Sequence, residues 1–128
     1  MTLAYWCVLI AIFLPYLGTV AAKALGGGFT PRNNHHPRAF LGTLKGRAAR
    51  ANSAQLNGFE TTPAFAAAVI IAHLAGGAAQ ATLDTLAVVF IVSRVLYLIC
   101  YLADWASLRS LIWFVGMGII VSLFVVAA

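Results

Sequence analysis

The sequence predicts an all-α membrane protein, a single domain over residues 1–128 that forms a bundle of four transmembrane helices. Of its 128 residues, 62% are hydrophobic and 9% are charged, whereas roughly 25% of the residues of a soluble domain are charged. The uncharged runs are too long and too numerous to be buried inside one domain of this size. The net charge of +5 does not predict a nucleic-acid partner, because such proteins gather their cations on a solvated face.

The first span covers residues 3–22, twenty residues without a charge, which match a hydrocarbon core about 30 Å thick. A signal peptide is the alternative, since VAAKA resembles a cleavage site, but no Lys or Arg precedes the apolar run. Pro15 removes a backbone donor and predicts a kink within this span. Residues 23–49, rich in Gly, Pro and cations, are expected to form a solvated loop.

The other three spans are predicted over residues 60–78, 85–103 and 110–128. The second helix is expected to begin outside the hydrocarbon near Arg47 and to end near Gly76, because glycine pairs interrupt helices. Only the segment DWASLR joins the third and fourth spans, so these helices should form an antiparallel pair.

The distribution of cations predicts the orientation of the bundle. Six of the eight cations lie in or beside the first connection: Lys23, Arg32, Arg38, Lys45, Arg47 and Arg50. The second connection has none, and the third has Arg109. Because Lys and Arg are retained on the cytoplasmic side, both termini are expected on the non-cytoplasmic side. The short chain without a targeting signal favours a bacterial inner membrane.

Arg94 lies near the middle of the third span, where a charge costs about 3 kcal/mol or more and is normally paired inside the bundle. Glu60 is the predicted partner, because it begins a membrane helix on the cytoplasmic side. The other two acids, Asp84 and Asp104, are expected at the opposite end and beyond the cytoplasmic end of the third span.

Two polar stripes follow from the helical rotation of about 100° per residue. On the second helix the stripe consists of Arg50, Ser53, Asn57 and Glu60. On the third it consists of Arg94, Tyr97 and Tyr101. One interpretation is a buried structural network that fixes helix register, since polar groups bond across helices in lipid. The other is a cleft for an anionic polar ligand, with Arg50, Arg94 and Arg109 as donors.

The sequence predicts no metal site. Cys7 and Cys100 lie inside apolar runs, away from any ligand spacing, and are expected to pack as small hydrophobes. His35 and His36 lack the spacing and the further ligands that a metal needs. His73 is expected to be buried in the second span and to bond a neighbouring helix.

The order of these features resembles the membrane-associated proteins in eicosanoid and glutathione metabolism, the MAPEG family, and in particular its shorter bacterial-type members. The resemblance covers almost the whole chain. It rests on the four spans, the long basic first connection, and the segments SAQLNGFETTPAF, RVLYLICYL and LRS.

The resemblance implies a homotrimer that holds glutathione between neighbouring subunits near the cytoplasmic side. Asn57 and Glu60 match the family's Asn-x-x-Glu pair, and Gln55 matches a further polar position. Tyr97 and Tyr101 match glutathione contacts that follow the arginine of the third span, here Arg94.

Arg109, followed by Ser110, matches the arginine that is thought to stabilise the glutathione thiolate in the enzymatic members. Anchoring at the membrane boundary would also explain an arginine there. The sequence departs from the family at Ser53, where an arginine is common and for which Arg50 could substitute. It departs again at Leu56 and Trp113, where some members have arginine and tyrosine.

The leading functional hypothesis is a glutathione-dependent transferase or peroxidase that acts on small hydrophobic electrophiles dissolved in membrane lipid, with Arg109 as the catalytic residue. The alternative is a non-catalytic scaffold or lipid-binding protein in which Glu60 and Arg94 form a structural network. A transporter is disfavoured, because the chain has no broken helix and no inverted repeat.

Overall fold

Four long helices and a short helical connection make up the chain, of which the computed structural model describes all 128 residues. The helices are α1 (Leu3–Leu25), α2 (Pro37–Gly42), α3 (Gly46–Ala75), α4 (Gln80–Ala103) and α5 (Ala106–Ala127). All except α2 are long and apolar enough to cross a membrane. The predicted all-α architecture with four spans is confirmed, and the protein is an integral, multi-pass membrane protein.

The helices alternate in direction, so the connections fall at two ends of the bundle. Residues 26–45 and 104–105 form one end, here called the basic end, and residues 76–79 form part of the opposite end. With 30 residues, α3 is about 45 Å long at 1.5 Å per residue. That length exceeds the hydrocarbon core, so α3 extends beyond the other helices, as the sequence predicts for a helix that begins near Arg47.

Small residues allow α1 to pack closely against α3 along the length of α1. A β-carbon added to Gly18 of α1 would lie 3.0 Å from the carbonyl oxygen of Ala51. One added to Gly58 of α3 would lie 2.7 Å from Cγ of Pro15. The rest of the buried face of α1 is also small: Ala4, Cys7, Ala11 and Ala22. This contact holds α3 in register with α1.

Pro15 lies inside α1, which continues through it as one helix. Proline has no N–H, so the carbonyl of Ala11, four residues earlier, loses its helical partner. The Thr62 hydroxyl of α3 lies 3.0 Å from that carbonyl oxygen and 2.8 Å from the Gly58 carbonyl oxygen of its own helix, so its one hydrogen is shared between two acceptors. The neighbouring helix therefore replaces part of the hydrogen bond that proline removes, which matters because lipid contains no water to supply it.

The core of the bundle lies between α3 and α4, which are flanked by α1 and α5. Phe65 of α3 and Phe90 of α4 stack with ring centroids 3.9 Å apart, and both side chains are fully buried. Gly116 of α5 and Leu123 complete the packing on the other side. Large apolar side chains cover the outside, as expected for a surface in contact with lipid or with other subunits.

At the opposite end, a carboxylate connects α1 and α4. Asp84 accepts hydrogen bonds from the Ala4 amide and from Gln80, both at 2.8 Å. The Ala4 amide is one of the unpaired donors at the start of α1, so Asp84 caps that helix from a distance in sequence. His73 contacts Gln80 at 3.1 Å and so bonds a neighbouring helix as predicted, but its exposed side chain corrects the prediction that it is buried.

The first connection differs from the solvated loop expected over residues 23–49. It contains α2 and a 3₁₀ turn at Asn33–His35, and Pro37 occupies the first turn of α2, where a missing N–H costs little. The helices also differ in length from the predicted spans. For example, α3 ends at Ala75, three residues before the end of the predicted span but at the position expected from Gly76, which adopts a left-handed conformation with φ 72°.

Candidate functional site

The two predicted polar stripes face each other across α3 and α4, but the direct partner of Arg94 differs from the prediction. A terminal nitrogen of Arg94 donates to Oδ1 of Asn57 at 2.7 Å. The amide nitrogen of Asn57 in turn donates to Glu60 at 3.3 Å. The expectation of a direct pair between Glu60 and Arg94 is therefore wrong: Asn57, one helical turn earlier, lies between them, and the Glu60 side chain is exposed.

Arg94 is a buried cation without a carboxylate beside it. Its side chain is 6% exposed, and the only ion pair in the chain joins Arg50 to Asp104. The guanidinium lies 4.0 Å from the centre of the Tyr97 ring, whose π face attracts a cation. The second terminal nitrogen, Nη1, has no hydrogen-bond partner. The buried charge is thus compensated by an amide and an aromatic ring.

A groove opens between α4 and α5 at the basic end of the bundle. Its volume is about 170 Å³, and it is lined by Tyr97, Tyr101, Arg109, Ser110, Trp113 and Phe114. The first four of these are predicted site residues, which the fold brings together. They come from the last turns of α4 and the first turns of α5. These two segments meet because a very short turn joins the helices.

Two aromatic rings of this groove link Arg109 to the buried Arg94. The Tyr97 and Tyr101 rings meet edge to face with centroids 5.3 Å apart. The Arg109 guanidinium lies 4.4 Å from the centre of the Tyr101 ring. Together with the contacts of Arg94, this gives a continuous path from Glu60 on α3 to Arg109 on α5. The groove therefore presents a cation held against an aromatic face.

Arg50, a predicted ligand donor, instead binds the C-terminal end of α4. Its Nε donates to the carbonyl oxygen of Tyr101 at 3.0 Å, and its terminal nitrogen lies 3.6 Å from Asp104. Arg47 similarly donates to the carbonyl of Leu102 at 3.2 Å. These are carbonyls of the last turn of α4, which have no partner inside the helix. Two arginines of α3 thus cap the C-terminus of α4.

Gln55 and Ser53 lie away from the groove. Gln55 is 8% exposed and packs against Gly18 of α1. It borders a second, partly open pocket of about 30 Å³ between α1, α3 and α4, and its Oε1 has no hydrogen-bond partner. A cavity of this size has room for one or two water molecules but not for a peptide. Ser53 is half-buried on α3.

Two groove residues lie outside the predicted set, Trp113 and Phe114. From the sequence, Trp113 stands out only as a departure from the family's tyrosine. Phe114 is 66% exposed and meets the Trp113 ring at 5.2 Å. Their spacing of four and five residues from Arg109 places them about one turn further along α5. This spacing is the feature of the sequence that could have predicted them as groove residues.

The fold and the groove define a class of protein: a helical integral membrane protein with a cationic, tyrosine-lined groove at one end of the bundle. The chain matches the MAPEG family over residues 3–128 and belongs to that family. Its members generally use glutathione and generally form trimers. Comparisons with curated proteins and with solved structures gave no match.

Proposed function

We propose that the protein is a membrane glutathione transferase or peroxidase that acts on small hydrophobic electrophiles. The observation that carries the proposal is the groove in which Arg109 lies against Tyr101 and beside Ser110, with Trp113 and Phe114 at its rim. One part of this groove is polar and cationic, and the other is apolar and faces lipid. That combination suits a reaction between a water-soluble anionic thiol and a substrate dissolved in the bilayer.

Arg109 has the chemistry to activate the thiol of glutathione. A nearby cation lowers the pKa of a thiol, and the thiolate is the nucleophile. In a groove with aromatic walls the cation stabilises the negative charge of the thiolate more strongly than it would in water. The thiol gives its proton to solvent, the thiolate sulfur forms a bond to the electrophilic carbon, and the electron pair of that carbon's broken bond leaves with the displaced group.

Five further residues are proposed as glutathione contacts on the basis of the groove and the path that leads to it. Tyr97 and Tyr101 have hydroxyls for the peptide, while Ser110 lies next to Arg109. Asn57 and Glu60 lie at the α3 end of the path. A carboxylate such as that of Glu60 suits the ammonium group of glutathione, and the exposed position of Glu60 leaves it free to bind.

We propose a homotrimer in which a neighbouring subunit completes the site. The groove in one chain measures about 170 Å³, whereas ligand pockets usually enclose about 300–1,000 Å³. The groove of one subunit is not lined by Gln55, Ser53 or Arg50 of that subunit. These residues would contact glutathione only in a differently shaped site or in one that two subunits form together. Native mass spectrometry should find three copies of the 13.6 kDa chain; a monomer with full glutathione affinity would contradict the proposal.

The proposed location is a bacterial inner membrane, with the basic end on the cytoplasmic side and both termini on the other. The exposed cations of the first connection support this orientation. Cysteines introduced at Thr2 and Thr43 of a variant without Cys7 and Cys100 report on the two ends. A membrane-impermeant thiol reagent added to spheroplasts should label position 2 only, and labelling of position 43 alone would reverse the orientation.

The activity is tested by the variant Arg109→Ala in a conjugation assay with a model electrophile. Loss of one charge-stabilising donor typically lowers the rate about 10²- to 10³-fold, so we expect a loss of that order with the oligomer intact. Arg38→Ala is the matched control, since Arg38 is an exposed cation at the same end but outside the groove. Conjugation by Arg109→Ala at the parental rate would refute the role of Arg109.

A second candidate function is a non-catalytic scaffold or lipid-binding protein. It is favoured by the burial of Arg94 and by its bond to Asn57, a network that fixes the register of α3 and α4 whether or not a ligand binds. On this account Glu60→Ala lowers thermal stability in detergent equally with and without glutathione. Protection of the parent by glutathione, lost in Glu60→Ala, would instead support the transferase.

A further inference from the structure

The connection between α1 and α3 carries cations without acids. The first acidic residue of the chain is Glu60, so no Asp or Glu occurs in residues 23–59. Arg32, Arg38 and Lys45 are exposed. None of these three side chains takes part in an ion pair, because the one ion pair of the chain joins Arg50 to Asp104. Their charged groups are therefore available to a partner. The three residues are called the basic platform below.

The basic platform is held by a folded connection. Leu41 of α2 is 8% exposed and packs with Ala22 of α1 and Ala51 of α3. Phe40 and Leu44 pack against the same small cluster. An apolar core of its own therefore fixes α2 against the ends of two membrane helices.

Aromatic contacts fasten the other half of the connection. The Phe29 ring meets Phe40 edge to face with centroids 5.2 Å apart. The ammonium group of Lys23, in the last turn of α1, lies 4.0 Å from the centre of the Phe29 ring. Arg32 follows Phe29 by three residues and Arg38 precedes Phe40 by two. The cations of the platform are thus part of a folded connection that packs against the ends of α1 and α3.

The platform lies beside the end of a helix that is long and apolar enough to cross a membrane, which is where lipid headgroups are expected. Leu25, the last residue of α1, is 48% exposed, and Lys23 marks the end of the uncharged run that began at Leu3. The retention of positive charge on one side of the membrane accounts for the sign of the charges. It does not require the connection to fold, because an extended loop with the same cations would orient the chain equally well.

We propose that the basic platform is a binding surface for the phosphate headgroups of anionic phospholipids. Arginine donates two parallel hydrogen bonds to phosphate oxygens, and cations next to a membrane helix are attracted to anionic lipid. A free phosphate ester offers the same chemistry, but the position beside the bilayer favours lipid. The proposal is independent of the glutathione groove, which is lined by residues of α4 and α5.

The test uses nanodiscs made from equal parts of phosphatidylglycerol and phosphatidylcholine. The purified protein is released into mild detergent, and the lipids that remain bound are counted by native mass spectrometry. Each cation near an anionic surface favours anionic lipid by a free energy that corresponds to about fivefold, so we expect phosphatidylglycerol to be enriched about fivefold or more. The enrichment should fall as salt screens the charges.

The variant Arg32→Gln/Arg38→Gln/Lys45→Gln should lose most of this enrichment. Arg32→Lys/Arg38→Lys is the matched control, which preserves charge and should keep most of the enrichment. Helix content and elution as a single species check that the Gln variant is folded. Equal lipid retention by the parent, or undiminished enrichment in the Gln variant, would overturn the proposal. So would full displacement of the lipid by an equal concentration of glycerol phosphate, which would indicate a site for free phosphate esters.

Discussion

The ring of Tyr101 is the surface against which Arg109 is held. The Arg109 guanidinium lies 4.4 Å from the ring centre, and the Tyr97 ring meets the Tyr101 ring edge to face. A long arginine side chain loses considerable rotamer freedom when it is fixed in one position. Because the Tyr101 ring already holds the cation before the reaction, less of this rotamer entropy is lost when the transition state forms. On this account Tyr101 is a positioning residue as well as a glutathione contact.

The variants Tyr101→Phe and Tyr101→Leu separate the ring from the hydroxyl. Phe keeps the aromatic face, so kcat should stay close to that of the parent. Leu removes a cation–π contact worth about 0.5–1 kcal/mol, so kcat should fall about two- to fivefold as the pH at which thiolate forms on bound glutathione rises. Ultraviolet absorbance of the thiolate measured against pH reports this change directly. Equal thiolate titrations for Phe and Leu would show that the ring does not position Arg109.

The chemical character of the site residues was predictable at the residue scale, but their partners were only partly so. Spacing along α4 placed Arg94, Tyr97 and Tyr101 on one face, and these three contact one another in that order. Helical rotation gives the direction of a side chain but not its height relative to a second helix. Asn57 and Glu60 lie one turn apart on the same stripe, so only the packing of α3 against α4 decides which of them meets Arg94.

At the scale of elements, the α1–α3 contact determines where the α3 stripe lies. Pro15 and Gly58 are in contact at its centre, and Thr62 binds the Ala11 carbonyl one turn further along α3. In a membrane the close approach of helices depends on packing and hydrogen bonds, because lipid is as apolar as the helix surfaces. The position of Asn57 beside Gly58 therefore depends on a contact between two small surfaces.

Gly58→Ala tests this contact. Its β-carbon would lie 2.7 Å from Cγ of Pro15, and since proline is rigid the helices must separate. Overpacking of this kind typically costs about 1–3 kcal/mol, so the melting temperature in detergent should fall by several degrees. Gly118→Ala is the matched control, because a β-carbon there meets no atom within 4 Å. A Gly58→Ala variant as stable as Gly118→Ala would contradict the close packing of α1 and α3.

The extent of the helices was harder to predict than their number. Hydropathy marks the part of a helix that lies in hydrocarbon, whereas helices continue until a capping residue stops them, as Gly76 does for α3. Glycines and prolines in the first connection predicted a loop and concealed α2. Only two large apolar residues, Phe40 and Leu41, lie within α2, which is too few to show a helical period.

On the scale of the whole molecule, the bundle is fastened at both ends by charged side chains. Asp84 joins the starts of α1 and α4 at the opposite end. Arg47 and Arg50 join the start of α3 to the last turn of α4 at the basic end. The basic end also contains the groove, so the arginines that cap α4 hold in place the helix turn from which Tyr97 and Tyr101 project.

Family membership was predictable from the order of motifs along the chain, and the match over residues 3–128 confirms it. The motifs could be recognised because a site assembled from three helices needs its residues at fixed heights, which fixes their spacing in sequence. The number of subunits and the orientation in the membrane remain proposals, since they depend on contacts with other molecules. Within one chain the groove is smaller than a usual ligand pocket.

The central claim is that this groove and the path leading to it bind glutathione. Calorimetric titration of glutathione into the detergent-purified oligomer measures this most directly, with Glu60→Ala and the exposed-cation control Arg38→Ala measured alongside. The account predicts saturable binding that Glu60→Ala weakens at least about tenfold, since loss of a charged hydrogen-bond partner costs about 1.5–3 kcal/mol, and that Arg38→Ala leaves unchanged. Absence of binding by a folded oligomer would contradict the claim and favour the scaffold or lipid-binding function.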